Sequence, residues 1–166
     1  MKYDLKMVYE KQQELDSRIN QIHKLDYDET VNDRLLALIV EIAEFANETR
    51  TFKYWSNKPA SPRMKILEEY IDVMHFAISV GLHFGANIDE GLFVKELNPN
   101  LTLTDYLLDL FKLALNLKNN RNLDNYKEFM AYYLGISVYL EYTYFELVEA
   151  YLKKNQTNHD RQDNNY

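Results

Sequence analysis

The stretch "EIAEFANETRTFKYWSNKPASPRMKILEEYIDVMHF", Glu41 to Phe76, decides the fold. Glu41, Glu44 and Glu48 alternate with Ile42, Ala43 and Phe45, and the pattern returns with Glu69 and Asp72 beside Ile71 and Val73. At 3.6 residues per turn, positions three and seven apart share one side of a helix, so each acidic set forms a stripe on an otherwise apolar rod. Like charges at that spacing repel unless something positive lies between them. Between the stripes, "SNKPASPR" carries the Pro and Ser residues of a loop, leaving room for one helix to end and a second to return antiparallel to it.

The rest of the chain fits the same design. Its 166 residues are 46% apolar and 14% aromatic, enough for one real core. Four Gly and three Pro favour long helices over a β or α/β design. The absence of cysteine excludes disulfides and thiolate metal sites and fits a reducing cytoplasm. No apolar run reaches membrane-spanning length, and "MKYDLKMVYEKQQELD" is amphipathic rather than a signal peptide. A net charge of −7 argues against a basic nucleic-acid surface but permits a nucleotide whose phosphates are offset by metal ions.

Periodicity predicts six helices. The first covers 3–24. The second starts at an N-cap of Asp28 or Thr30 and ends near Thr51. The third opens with Ser61 as N-cap and Pro62 in the first turn, and weakens at Gly81 and Gly85. Residues 85–102 read as an irregular connection. The fourth, fifth and sixth helices are expected over 103–118, 124–135 (ending at Gly135) and 143–155. The expected organisation is one all-α domain of antiparallel helices over 1–155, followed by a polar tail, 156–166, that is mobile until something orders it. The tyrosine-rich "AYYLGISVYLEYTYF" is assigned to a subunit interface.

Two facing helices carrying E-x-x-E and E-x-x-D bring four carboxylates, Glu41, Glu44, Glu69 and Asp72, to one place. Hard divalent cations, Mg²⁺ above all, take oxygen ligands and keep waters that substrate phosphates can replace. A solvated acidic face is the alternative, but "LLALIVEIAEFA" is too apolar for a continuous surface. A di-iron bundle would need paired Glu-x-x-His motifs, and only Asp72 and His75 supply anything similar.

With those residues set out, a resemblance follows. "EIAEFANETRTFKYWSNKPASP…ILEEYIDVMHF" and the C-terminal "AYLKKNQTNHDRQ" resemble the dimeric dUTPases of the all-α NTP pyrophosphatase superfamily, the group that includes MazG-type enzymes. "YEKQQELDSRI" is similar to the family's first motif. The resemblance implies an all-α homodimer that hydrolyses dUTP to dUMP and pyrophosphate with Mg²⁺, more than one ion per site. It implies metal binding by Glu41, Glu44, Glu69 and Asp72, with Glu41, or alternatively Glu44, taking the proton of the attacking water. It further implies uracil contact by Gln12, a nucleotide pocket lined by Lys53 and Trp55, and a sugar near His75. From the tail, Lys154 and Arg161 would meet phosphates and Asn158 the base.

By residue type alone these contact residues have plainer readings. His75 would be a core histidine, Gln12 a surface residue, Lys154 and Arg161 solvated charges, and Trp55 either core or a stacking platform. Two other functions also fit the pattern. One is a related pyrophosphatase acting on another nucleotide such as dCTP. The other is a helical regulatory or scaffold protein whose acids bind a partner. No nucleic-acid or membrane partner is expected, and a regulatory protein partner is not readable from residue types.

Overall fold

A computed structural model describes residues 1–86 and 91–164. Six helices are present among them: α1 (Lys6–His23), α2 (Val31–Thr49), α3 (Arg63–His83), α4 (Leu103–Asn119), α5 (Leu123–Tyr139) and α6 (Tyr144–Asp163). Two short strands, β1 (Lys2–Tyr3) and β2 (Leu92–Phe93), pair antiparallel, with Lys2 opposite Phe93 and Tyr3 opposite Leu92. The fold is therefore all-α, as the periodicity predicts. Part of the 85–102 connection is ladder rather than irregular chain, because a two-residue strand is too short to leave an alternating pattern. Residues 87–90 of that connection, and 165–166 of the tail, lie outside the described residues.

Contacts give the helix directions. Along α2 and α3 they run in opposite senses: Ser61 donates its N–H to the Glu48 carbonyl at 3.0 Å near the loop, and Glu69 and Asp72 meet Glu41 further on. Thr51 meets Thr104 and Asn32 meets Arg121, so α4 also opposes α2 and runs alongside α3 in the same sense. The connection between α3 and α4, described over residues 84–86 and 91–102, is thus a crossover that joins opposite ends of the bundle. α6 then lies against α3 and α1 in their own direction, with Arg63 meeting Glu146 and Asp72 meeting Lys154.

Helix ends are set by local chemistry. Thr102 with Asp105, and Thr143 with Glu146, form reciprocal capping boxes at the starts of α4 and α6. Lys24 and Arg50 close α1 and α2 in the left-handed conformation, at φ 54° and 56°. Thr30 is the N-cap of α2, one of the two expected candidates. Ser61 does not cap α3. Pro62 takes that position, and the Ser61 hydroxyl instead donates to the Glu48 carboxylate, tying the loop to α2.

Two glycines expected to interrupt helices do not. α3 passes through Gly81, where a Cβ would come within 2.1 Å of the Tyr126 ring. α5 passes through Gly135, where a Cβ would lie 2.6 Å from the Lys95 carbonyl. Both mark close approach between elements rather than a stop signal.

The tyrosine-rich segment is also mostly internal. Tyr132, Tyr133 and Tyr142 are buried in the chain's own core, while Tyr139 and Phe145 face outward. Tyr70 and Tyr133 stack at 4.3 Å, and each hydroxyl donates to the other residue's backbone carbonyl, at 2.8 and 2.6 Å. Each buried phenol thus finds an acceptor, which is how α3 and α5 can bury tyrosines at this density.

α6 continues past residue 155, where periodicity ends it, to Asp163. Polar pairs one turn apart carry the extension: Gln156 donates to Asp160 at 2.8 Å, and Thr157 to the Lys153 carbonyl at 3.1 Å. Arg18 of α1 holds it from the side through the His159 carbonyl and the Asp163 carboxylate, and His23 meets Gln162 at 3.0 Å. A wholly polar segment shows no hydrophobic period, so these cross-helix contacts are invisible to a sequence pattern.

Candidate active site

On α2, Leu38, Ile42 and Phe45 are fully buried, and Glu41 stands at the rim of that apolar stripe. On α3, the register that buries Ile71 and Met74 also turns Glu69 and Asp72 toward α2. One carboxylate oxygen from each of Glu41, Glu69 and Asp72 lies within 4.8 Å of the others. Burial and the charges of Asp72, Glu44 and Glu69 together push the Glu41 carboxyl up to about 7. Burial likewise raises Asp72, partly offset by Lys154.

Two lysines border the cluster. Lys154 of α6 places Nζ 2.6 Å from Asp72 and 3.8 Å from Glu68, and Lys65 lies 2.5 Å from Glu69. Glu44 is exposed and is not one of the three converging acids, though its charge reaches Glu41. The helix pair therefore brings together three of the four expected acids, with the fourth one turn away at the edge.

A cavity of about 610 Å³ opens beside the cluster between α1, α2, α3 and α6. Gln12, Glu41, Asp72, His75, Lys154, Asn158 and Arg161, all expected at the site, line it. Its walls are mixed, with carboxylates toward α2, amides and imidazole toward α1, and an ammonium and a guanidinium from α6. Lys53 and Trp55 do not line this cavity. They stand on the loop after α2, where Lys53 donates to Asn47 at 2.6 Å and Trp55 is 65% exposed, edge-on to Tyr54.

The floor is a polar network whose outer members the sequence reading did not single out. Gln12 is 4% exposed; its Nε2 donates to Asp16 at 2.8 Å, and its Oε1 accepts from Tyr151 at 2.7 Å and bonds His75 Nδ1 at 2.8 Å. Asp16 also accepts from Ser79 at 2.6 Å and Tyr27 at 3.3 Å. His75 stacks on Tyr151 at 4.2 Å, and burial pushes its imidazole down to about 3, so it is neutral at physiological pH. A signal did exist: Gln12 and Asp16 are four apart, and Asp72, His75 and Ser79 recur at three and four, which places each set on one helix face.

An oxygen-only set of three carboxylates, crowded enough to disfavour full ionisation, suits a hard divalent cation rather than a soft or redox metal. Cationic side chains on the cavity wall suit an anionic ligand.

No curated protein matches the chain significantly. The sequence model of the dUTPase family matches residues 4–166, spanning all six helices and every site residue above. The chain accordingly belongs to the all-α dUTPase family, enzymes that hydrolyse dUTP.

Proposed function

We propose that this cavity hydrolyses dUTP to dUMP and pyrophosphate in a Mg²⁺-dependent reaction. The observation that carries the reading is the convergence of Glu41, Glu69 and Asp72 within 4.8 Å, with Lys154 bonded to Asp72 and Arg161 on the wall of the adjoining cavity. These three acids would hold the ions, with Glu44 extending the set toward a second. Bound Mg²⁺ would supply charge neutralisation on the triphosphate and a more acidic water.

The chain's own groups supply the rest. Glu41, set among the cluster's acids, would accept the proton of a water that attacks the α-phosphorus, while the α–β bridge breaks and pyrophosphate leaves with the electron pair. Glu44, exposed at the rim, is the less suited of the two candidate bases. Lys154 and Arg161 donate to phosphate oxygens, Arg161 as a fork and Lys154 as a point charge. Gln12 and Asn158 meet the base, and His75 the sugar side of the nucleoside. Substrate phosphates tighten residues 156–164 against α1, excluding bulk water.

The same reading places the enzyme in the cytoplasm as a homodimer that clears dUTP from the nucleotide pool and supplies dUMP as a precursor of dTMP. Leu36 and Val40 of α2, with Leu108 and Leu115 of α4, are exposed on neighbouring helices and offer an apolar face for a second copy. No helix among the described residues is long and apolar enough to cross a membrane.

Incubation with dUTP and each of the four standard dNTPs, with Mg²⁺ or with EDTA, tests the proposal. Metal-dependent release of dUMP and pyrophosphate is expected from dUTP in preference to the others. Absence of turnover would favour the scaffold reading, and preference for dCTP the related pyrophosphatase.

Cation affinity should follow Glu41. Only the ionised carboxylate ligates, so Mg²⁺ affinity should climb by up to about tenfold per pH unit below 7 and flatten above it. Calorimetric titration at pH 6, 7 and 8 in buffers of different ionisation enthalpy should also detect a released proton at pH 6. Equal affinity at all three values would remove Glu41 from the ion's ligands.

A further inference from the structure

The bond between Gln12 and Asp16 determines more than Gln12's position. Burial raises the Asp16 carboxyl, while hydrogen bonds from Ser79 and Gln12 and the Arg34 charge favour its ionised form. As a carboxylate it can only accept, so Oδ1 turns the Gln12 NH₂ toward itself, at 2.8 Å. The Gln12 oxygen then faces the other way, toward the Tyr151 hydroxyl at 2.7 Å and His75 Nδ1 at 2.8 Å. A carbonyl oxygen facing a ring nitrogen requires that nitrogen to carry the hydrogen. His75 is thereby fixed as its Nδ1–H tautomer, and Nε2 is left as a bare acceptor. Nε2 is buried and finds no partner among the described residues, on a side chain that lines the cavity.

We propose that Asp16 is a positioning residue which, through Gln12, locks His75 so that Nε2 presents a fixed acceptor to an uncharged N–H or O–H donor of the bound nucleotide. Ser79 keeps Asp16 in place by donating its hydroxyl at 2.6 Å, and the Tyr27 hydroxyl, which donates to the Ser79 carbonyl at 2.7 Å, lies beside the carboxylate at 3.3 Å. A buried acceptor of this kind selects strongly, because a ligand without the donor leaves it unsatisfied. The lock rests on the proposed nucleotide reading only for the identity of the donor. The acceptor alone calls for an N–H or O–H donor, and the nucleotide reading narrows that to an imide N–H or a sugar hydroxyl.

Nitrogen-15 NMR of the unliganded, full-length protein tests the lock without reference to turnover. The expected spectrum has one His75 tautomer, protonated at Nδ1 and bare at Nε2, between pH 6 and 8. A proton on Nε2 overturns the proposal, even if no variant can be made. In Asp16→Asn, which can face Gln12 with either its oxygen or its NH₂, the single tautomer should give way to a mixture.

Kinetics then identify the donor. N3-methyl-dUTP lacks the imide N–H and 2′,3′-dideoxy-UTP lacks the sugar hydroxyl; one of them should lose about 10- to 100-fold in kcat/KM against dUTP. Asp16→Asn should shrink that penalty at least fivefold. Equal use of all three substrates by the wild type, or an unchanged penalty and tautomer in Asp16→Asn, overturns it. Failure of dUTP turnover alongside the expected NMR result would sink the hydrolase reading while leaving the lock standing.

Discussion

Glu41→Gln should lower kcat/KM for dUTP by about a thousandfold, yet make the metal-free protein more stable above neutral pH. Both effects come from the carboxylate's position at the rim of the core, facing Asp72 and Glu69. Its folded pKa, about 7, lies above the ordinary value of 4.5, so the fold favours the protonated form. That contribution is complete below about 4.5 and is lost as pH rises through 7. Glutamine mimics the protonated group at every pH.

The variant's advantage should therefore grow from pH 5 to pH 8 and then level at roughly 1 kcal/mol, after allowing for solvent screening at a half-buried site. Scanning calorimetry in EDTA would reveal it. Added Mg²⁺ should reverse the order, because only the wild type gains from binding. A variant less stable than wild type at pH 8 in EDTA, or one that keeps its turnover, would refute the assignment.

Removing residues 156–166 should raise KM for dUTP by roughly 30- to 100-fold, the loss expected when a charge-assisted phosphate contact disappears. The deletion takes Asn158 and Arg161 from the cavity wall and the Arg18 and His23 contacts from α1. It spares Leu147, Tyr151 and Asn155, the buried residues that dock α6, so the helical circular dichroism signal should fall only by the missing turns.

Point variants separate contact from support. Arg161→Ala should reproduce most of the KM effect, and Arg18→Ala only a few-fold part of it, since Arg18 holds the helix and does not line the cavity. Unchanged KM in the shortened chain would remove the last turns of α6 from the site.

The acidic stripes were legible because helical spacing is local. Glu41, Glu69 and Asp72 need only two helices and a short loop to meet, and the sequence contains all three pieces. By type, Gly81 reads as a weak point and Gly135 as a helix end, because the reason for each is an atom elsewhere in the chain, the Tyr126 ring or the Lys95 carbonyl. Ser61 has the composition of an N-cap, but its hydroxyl finds a stronger acceptor in Glu48. The polar end of α6 carries no apolar period, so nothing local foretold its docking on Arg18. Gln12 illustrates the intermediate case: its presence in the cavity follows the resemblance and its bond to Asp16 follows helical spacing, whereas its bonds to His75 and Tyr151 show only once α1 is seen against α3 and α6.

The crossover that lets α6 lie along α1 and α3 has a consequence for biosynthesis. Cavity residues run from Gln12 to Gln162, so a nascent chain that has emerged only as far as α5 displays the acids of α2 and α3 without the ammonium of Lys154 to lie against them. The unfinished product carries a repulsion relieved only at Glu69, by Lys65, and the site closes when the last helix leaves the ribosome.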